Sequence, residues 1–168
     1  MPTTQENLKN AFAGESQANR KYLAFSKQAE KDGLSNIAKM FRAIAEAETV
    51  HALNHLKTMG GVKSTVENLK EAKGGELYEI TKMYPDMVTT AKKEGNKQGE
   101  RTLNYALETE KIHEKMYEGA IKKAQDGNDI EETIFHVCPI CGCTFEGEDL
   151  PDNCPICRAK KELFMKIE

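Results

Sequence analysis

Apolar residues recur every three or four positions through most of the chain and stop doing so near residue 134. That spacing marks one face of a helix. Four such stripes can be traced: Leu8, Phe12 and Tyr22; Ile37, Phe41 and Ile44; Leu69, Ala72, Met83 and Met87; Leu103, Ala106 and Tyr117. The first helix is predicted to begin at Thr3-x-x-Glu6, a capping-box pattern, and to stop at Gly33. Ser35 is expected to cap the second, which ends at Gly60-Gly61. Ser64-x-x-Glu67 opens the third, which runs to about Gly95 with Pro85 inside it. Proline lacks a backbone donor and crowds the carbonyl four residues back, so a kink is expected there. Asn96 starts the fourth, ending near Gly127. After a boundary at 128–133, prolines, glycines and cysteines break the chain into short apolar fragments. The fold class is therefore mainly α, with a four-helix domain over 1–130 and a small domain of short strands and loops over 134–168.

Several glutamates interrupt the apolar stripes in phase with them. Glu15 lies seven residues after Leu8 and three after Phe12; Glu48 follows Ile44 by four, and His51 continues that face. Glu76 is four after Ala72, Glu79 four before Met83, Glu110 four after Ala106, and His113 four before Tyr117. Glu46–His51 and Glu108–His113 repeat one pattern, Glu-x-Glu-x-x-His, and residues three apart share a helix face. Carboxylates gathered in a low-dielectric core repel one another unless cations lie among them. Glutamates from all helices with two Glu-x-x-His pairs form the ligand set of a dinuclear carboxylate bundle. Mixed carboxylate and imidazole ligation suits iron or manganese better than magnesium or calcium. Glu46 and Glu108 sit on the opposite face and are read as solvated, while His55 and His136 are read as packing residues. Tyr22 and Tyr84 lie near the site, either as core or bonding a ligating carboxylate.

The two halves are unequal, with Ala18 three after Glu15 but Glu79 three after Glu76. Glu15, Glu48, Glu76 and Glu110 balance two ferrous ions. Two ferric ions, with an oxo or hydroxo bridge, accommodate a further carboxylate. Glu79 is therefore expected to bind one iron when oxidised, with His51 taking its place when reduced.

All five cysteines fall within 138–157, a clustering that suits a metal knuckle in a reducing cytoplasm better than a disulfide framework. Cys138-x-x-Cys141 and Cys154-x-x-Cys157 specify tetrahedral thiolate ligation without choosing between zinc and iron. Attachment to a dinuclear carboxylate bundle favours iron. Cys143 falls outside the knuckle spacing, and Phe145 with Phe164 is expected to build the small domain's core. A net charge of −3 with interspersed signs gives no reason to expect nucleic-acid binding. No apolar run reaches the roughly 20 residues that span a bilayer, so no membrane is expected. The first residues lack the pattern of a signal peptide, and the expected location is cytoplasmic.

With these marks the chain resembles the rubrerythrin family over nearly its whole length. They are Ala13-Gly14-Glu15-Ser16-Gln17-Ala18, Glu48-x-x-His51, Glu76-x-x-Glu79 followed by Met83-Tyr84-Pro85, Glu110-x-x-His113-Glu114, and the cysteine pairs. The resemblance implies a ferritin-like di-iron bundle joined to a rubredoxin-like domain holding one iron on four thiolates. It also implies a peroxidase that reduces hydrogen peroxide to water in oxidative-stress defence, with electrons from a rubredoxin or an NAD(P)H-dependent reductase. On the family pattern Glu48 and Glu110 bridge the irons; Glu15 with Glu79 or His51 completes one, and Glu76 with His113 the other. Tyr22 and Tyr84 match family tyrosines beside the ligands. Cys143 departs from the aromatic residue usual after the knuckle glycine. The alternative is a ferroxidase or iron-handling protein with a structural zinc ribbon.

Two lengths predict a homodimer. From Glu110 to Gly127 the fourth helix rises roughly 25 Å, which is expected to set the cysteine domain far from its own di-iron site. The link from Gly60 to Ser64 reaches about 17 Å at most, whereas a crossover along a helix of this length spans nearly 40 Å. Helices one and two are therefore expected to be exchanged between subunits, as in swapped members of the family.

Overall fold

The computed structural model describes residues 1–167 and divides into two units, Met1–Lys63 and Ser64–Glu168. The first is a helical hairpin of α1 (Thr4–Lys31) and α2 (Ser35–Thr58). Thr3 and Glu6 form the expected capping box at the start of α1. Leu34, not Ser35, occupies the N-cap of α2, with no side-chain cap bond. The tight turn through Gly33, at φ +76°, leaves Ser35 already helical.

Small residues line the seam of this hairpin. Asn19 and Ser26 of α1 and Ala38, Ala45 and Ala52 of α2 are buried at seven-residue spacing, the repeat that keeps one face of each helix against its neighbour. The larger apolar residues expected in the core flank the seam, and Ile37 and Ile44 are exposed. A helix pair covers only one stripe of each member, and alanine lets the backbones approach there. Asn19 bonds across the seam, its Nδ2 donating to the Ala45 carbonyl and to Thr49 Oγ1, both at 2.7 Å.

In the second unit, α3 (Thr65–Tyr78), a π-helical turn (Glu79–Met83) and α4 (Tyr84–Lys93) follow one another along α5 (Lys97–Gln125). Ser64 and Glu67 form the second capping box, and Asn96 caps α5 by accepting from the Gly99 N–H at 2.9 Å. In place of the single kinked third helix that Pro85 predicts, the π turn comes first and Pro85 then falls in the opening turn of α4. Pro85 lacks the N–H that would continue the ladder from the preceding turn, and the π turn immediately before it takes up the break. Lys73 ties α3 to α5 through Glu114 at 3.2 Å and Glu118 at 3.5 Å.

The remaining residues form an antiparallel sheet ordered β2-β1-β3, from β1 (Phe135–Val137), β2 (Thr144–Glu146) and β3 (Met165–Ile167). Phe135 pairs with Glu146 on one side and Ile167 on the other. Phe145 and Phe164 stack with centroids 5.0 Å apart, as expected of the small core. Among the described residues, no helix is long and apolar enough to cross a membrane.

Candidate metal centres

Three clusters bring metal-binding atoms within 4.8 Å of one another: Cys138, Cys141, Cys154 and Cys157; Glu15, Glu48 and His51; and Glu76, Glu110 and His113. The cysteine cluster has an internal two-fold pattern. Cys138 N–H donates to the Cys143 carbonyl at 2.9 Å, and Cys154 N–H to the Ala159 carbonyl at 2.7 Å. Gly142 and Arg158 occupy matching left-handed positions, at φ +85° and +67°. Cys143 is thus the counterpart of Ala159 and is fully buried, while the other four thiols converge.

The sulfurs of Cys138 and Cys157, and of Cys141 and Cys154, lie 3.5 Å apart. A disulfide needs about 2.05 Å, whereas four sulfurs at about 2.3 Å from a central ion are mutually separated by about 3.8 Å. The set therefore fits one tetrahedral ion. Burial pushes the Cys141 and Cys157 thiols up. Burial acts most strongly on Cys154 too, but the backbone N–H groups of Cys157 and Ile156, with the Cys141 and Cys157 thiols, together outweigh it and bring it down to about 7. Cys143 is pushed up to about 12, by burial first and then by the charge on Cys154. It packs, fully buried, among the other cysteines.

On the α1–α2 hairpin, Glu48 Oε2 lies 2.9 Å from His51 Nδ1, with the glutamate side chain 16% exposed and the histidine 54%. Glu15 joins them from α1. Tyr22 packs against Phe25 and Phe41 at 6.2 and 6.3 Å between centroids.

The second group is better covered. Glu110 Oε2 lies 2.7 Å from His113 Nδ1, with these side chains 15% and 27% exposed. Burial and then the charge of Glu110 raise Glu76 to about 7. The same two causes raise Glu79, which the charge of His113 opposes. Tyr84 is raised by burial and by the charges of Glu79, Glu110 and Glu76, so all four groups share one electrostatic neighbourhood. Glu79 itself lies outside the compact ligand cluster, at the first position of the π turn. Such turns recur at functional sites because the extra residue re-aims the side chains around it. Carboxylates that resist ionising together are compensated by a cation, and two carboxylates with an imidazole suit iron or manganese. Each cluster is half the donor set of a di-iron carboxylate bundle. Glu46 and Glu108 are exposed, as expected.

The expected distance between the cysteine domain and the candidate metal-binding residues of its own α5 is not found. The chain doubles back after Gln125, so that Thr144 of β2 meets His113 at 2.9 Å. Thr109 of α5 donates to the Cys141 carbonyl at 3.0 Å. Helix rise alone gives no account of this reversal. Thr109 and Thr144 carry no metal-ligand spacing, and Asn19 is visible in the sequence only as the residue one turn beyond Glu15.

Residues 6–121 match the family model described as Rubrerythrin, and residues 136–165 match the one described as Rubrerythrin, rubredoxin-like domain. Rubrerythrin-2 of Clostridium acetobutylicum is 38% identical, over 96% of this chain and 95% of its own. Nigerythrin of Nitratidesulfovibrio vulgaris is also 38% identical, over 96% of this chain and 85% of its own. Among solved structures, fully reduced, all-ferrous nigerythrin aligns with a TM-score of 0.59 and 33% identity, covering 99% of this chain and 88% of that one.

Proposed function

The chain belongs to the rubrerythrin family, and on that premise we propose that it reduces hydrogen peroxide to water in oxidative-stress defence. It is an oxidoreductase with a di-iron carboxylate–histidine site and a rubredoxin-like iron site of four cysteines. The reading rests on one observation: a single chain carries two Glu-Glu-His clusters and a four-cysteine cluster. The two Glu-Glu-His clusters would hold paired iron, which would supply two electrons together for cleavage of the peroxide O–O bond, and the four cysteines would hold an iron suited to one-electron transfer.

In this proposal Glu48 and Glu110, both largely covered, would serve both metal positions. Glu15 with Glu79 or His51 completes one position, and Glu76 with His113 the other. The half-exposed imidazole of His51 and the π-turn placement of Glu79 support a redox-linked exchange between them. Tyr84, whose phenol holds its proton against three nearby carboxylates, orients them; Tyr22 takes the corresponding place on α1.

The partners proposed are a reduced rubredoxin or NAD(P)H-dependent reductase as donor and a second copy of the chain with α1 and α2 exchanged. Exposed Ile37, Met40 and Ile44 on α2 and the short link from Met59 to Ser64 support that exchange. A reducing cytoplasm fits five unpaired cysteines.

The test is anaerobic turnover of the iron-loaded chain with hydrogen peroxide and reduced rubredoxin. Two rubredoxins oxidised for each peroxide is the expected result, abolished in Glu48→Ala. No peroxide-dependent oxidation would overturn the reading, and oxygen-driven oxidation of added ferrous iron in its place would assign a ferroxidase.

A further inference from the structure

Two threonine hydroxyls hold α5 to the first cysteine knuckle. Thr109 Oγ1 donates to the Cys141 carbonyl at 3.0 Å, from a side chain almost fully buried. One turn later, His113 Nε2 lies 2.9 Å from Thr144 Oγ1, which itself donates to the Gly142 carbonyl at 3.1 Å. Positions 109 and 113 share a helix face, and Ile112 beside them packs on the buried cysteines. The knuckle is close here, since a β-carbon on Gly142 would meet the Thr109 methyl at 3.6 Å.

A threonine hydroxyl offers one proton. With that proton directed to Gly142, the contact with His113 uses the imidazole proton, which therefore sits on Nε2. The 2.7 Å contact of Nδ1 with Glu110 itself needs a proton between them, and on metal binding Nδ1 would give that proton up and offer its lone pair to the ion on the side of Glu110. A ligating histidine depends on the partner of its other nitrogen for tautomer and ring orientation.

We propose that Thr144 is the positioning residue for His113: its hydroxyl, anchored on the Gly142 carbonyl, fixes the imidazole with Nδ1 presented to the cluster of Glu76 and Glu110. A residue of the cysteine domain thereby sets the geometry of a ligand on the bundle helix of the same chain. The inference rests on the proposed role of His113 as a metal ligand.

The test uses the full chain with zinc in the cysteine site, titrated with cobalt(II) against a chelator. Thr144→Val is expected to weaken cobalt binding about tenfold and Thr144→Ser to restore it to within about twofold, in line with losses seen on removing such histidine partners. His113→Ala weakens binding at least as much as Thr144→Val. In the zinc-loaded chain, proton–nitrogen NMR should show a slowly exchanging His113 Nε2 proton in wild type and Thr144→Ser, lost in Thr144→Val. Unchanged cobalt affinity and a retained Nε2 signal in Thr144→Val overturn the inference, as does failure of Thr144→Ser to rescue. If His113→Ala still weakens cobalt binding in that case, the ligand assignment survives. Wild-type cobalt affinity in His113→Ala overturns both.

Discussion

Replacing Cys143 with alanine separates the roles of the five thiols. The side chain is fully buried beside Cys138 and Cys154, and its carbonyl accepts from the Cys138 N–H as Ala159 accepts from Cys154. The matching knuckle thus already carries alanine at this position. Removing one buried sulfur loses burial comparable to a methylene, about 0.8 kcal/mol. A small residual void adds to this, giving about 1–2 kcal/mol in all. The backbone bond is retained and no ligand is lost. Cys143→Ala should therefore unfold at slightly lower denaturant while keeping one thiolate-bound iron per chain and unchanged thiolate-to-iron absorption. Cys138→Ala should lose that absorption. Loss of the bands in Cys143→Ala would make Cys143 a ligand and refute the two-fold account of the knuckles.

Three further outcomes follow from the same geometry. Glu46→Ala and Glu108→Ala should bind metal as wild type does, while Glu48→Ala and Glu110→Ala should lose iron from the carboxylate site by metal analysis. In the chain freed of carboxylate-bound metal, the folded state binds protons at Glu76 and Glu79 more tightly than the unfolded chain does. Stability should therefore fall as pH rises from 4.5 towards about 7 and level off above it; Glu6 and Asp152, shifted the other way, act below that window. Urea unfolding at several pH values reads this slope, and iron loading should remove it. Gly142→Ala should cost about 1–2 kcal/mol, because alanine resists the left-handed backbone at φ +85°. Arg158→Gly at the matching position should change stability by less than about 1 kcal/mol, as relief of strain is offset by the freer unfolded chain.

Much of the candidate site was legible because its residues obey helix periodicity. Glu48 with His51, and Glu110 with His113, had to lie side by side once their segments were helical, and capping boxes at Thr3 and Ser64 showed where two helices start. The cysteine spacing specified its own tetrahedron. The alanine seam was hidden because a stripe of large residues is a louder signal than alanine every seven positions. The π turn at Glu79 looks in the sequence like no more than a kink, since Pro85 advertises a break without saying which turn absorbs it. The reversal after Gln125 depends on contacts between Thr109 and Cys141 and between His113 and Thr144, more than 30 residues apart, and no local pattern encodes such pairs.

In the proposed function, electrons move from the cysteine site to peroxide through a carboxylate–histidine centre. Adding hydrogen peroxide anaerobically to the fully reduced, iron-loaded chain, while following thiolate-to-iron absorption, tests it most directly. The account predicts that the bands return with peroxide in the wild type and fail to return in Glu110→Ala containing iron only at its cysteines. Equal return of the bands in both proteins would contradict it, because peroxide would then be oxidising the cysteine-bound iron without the di-iron site.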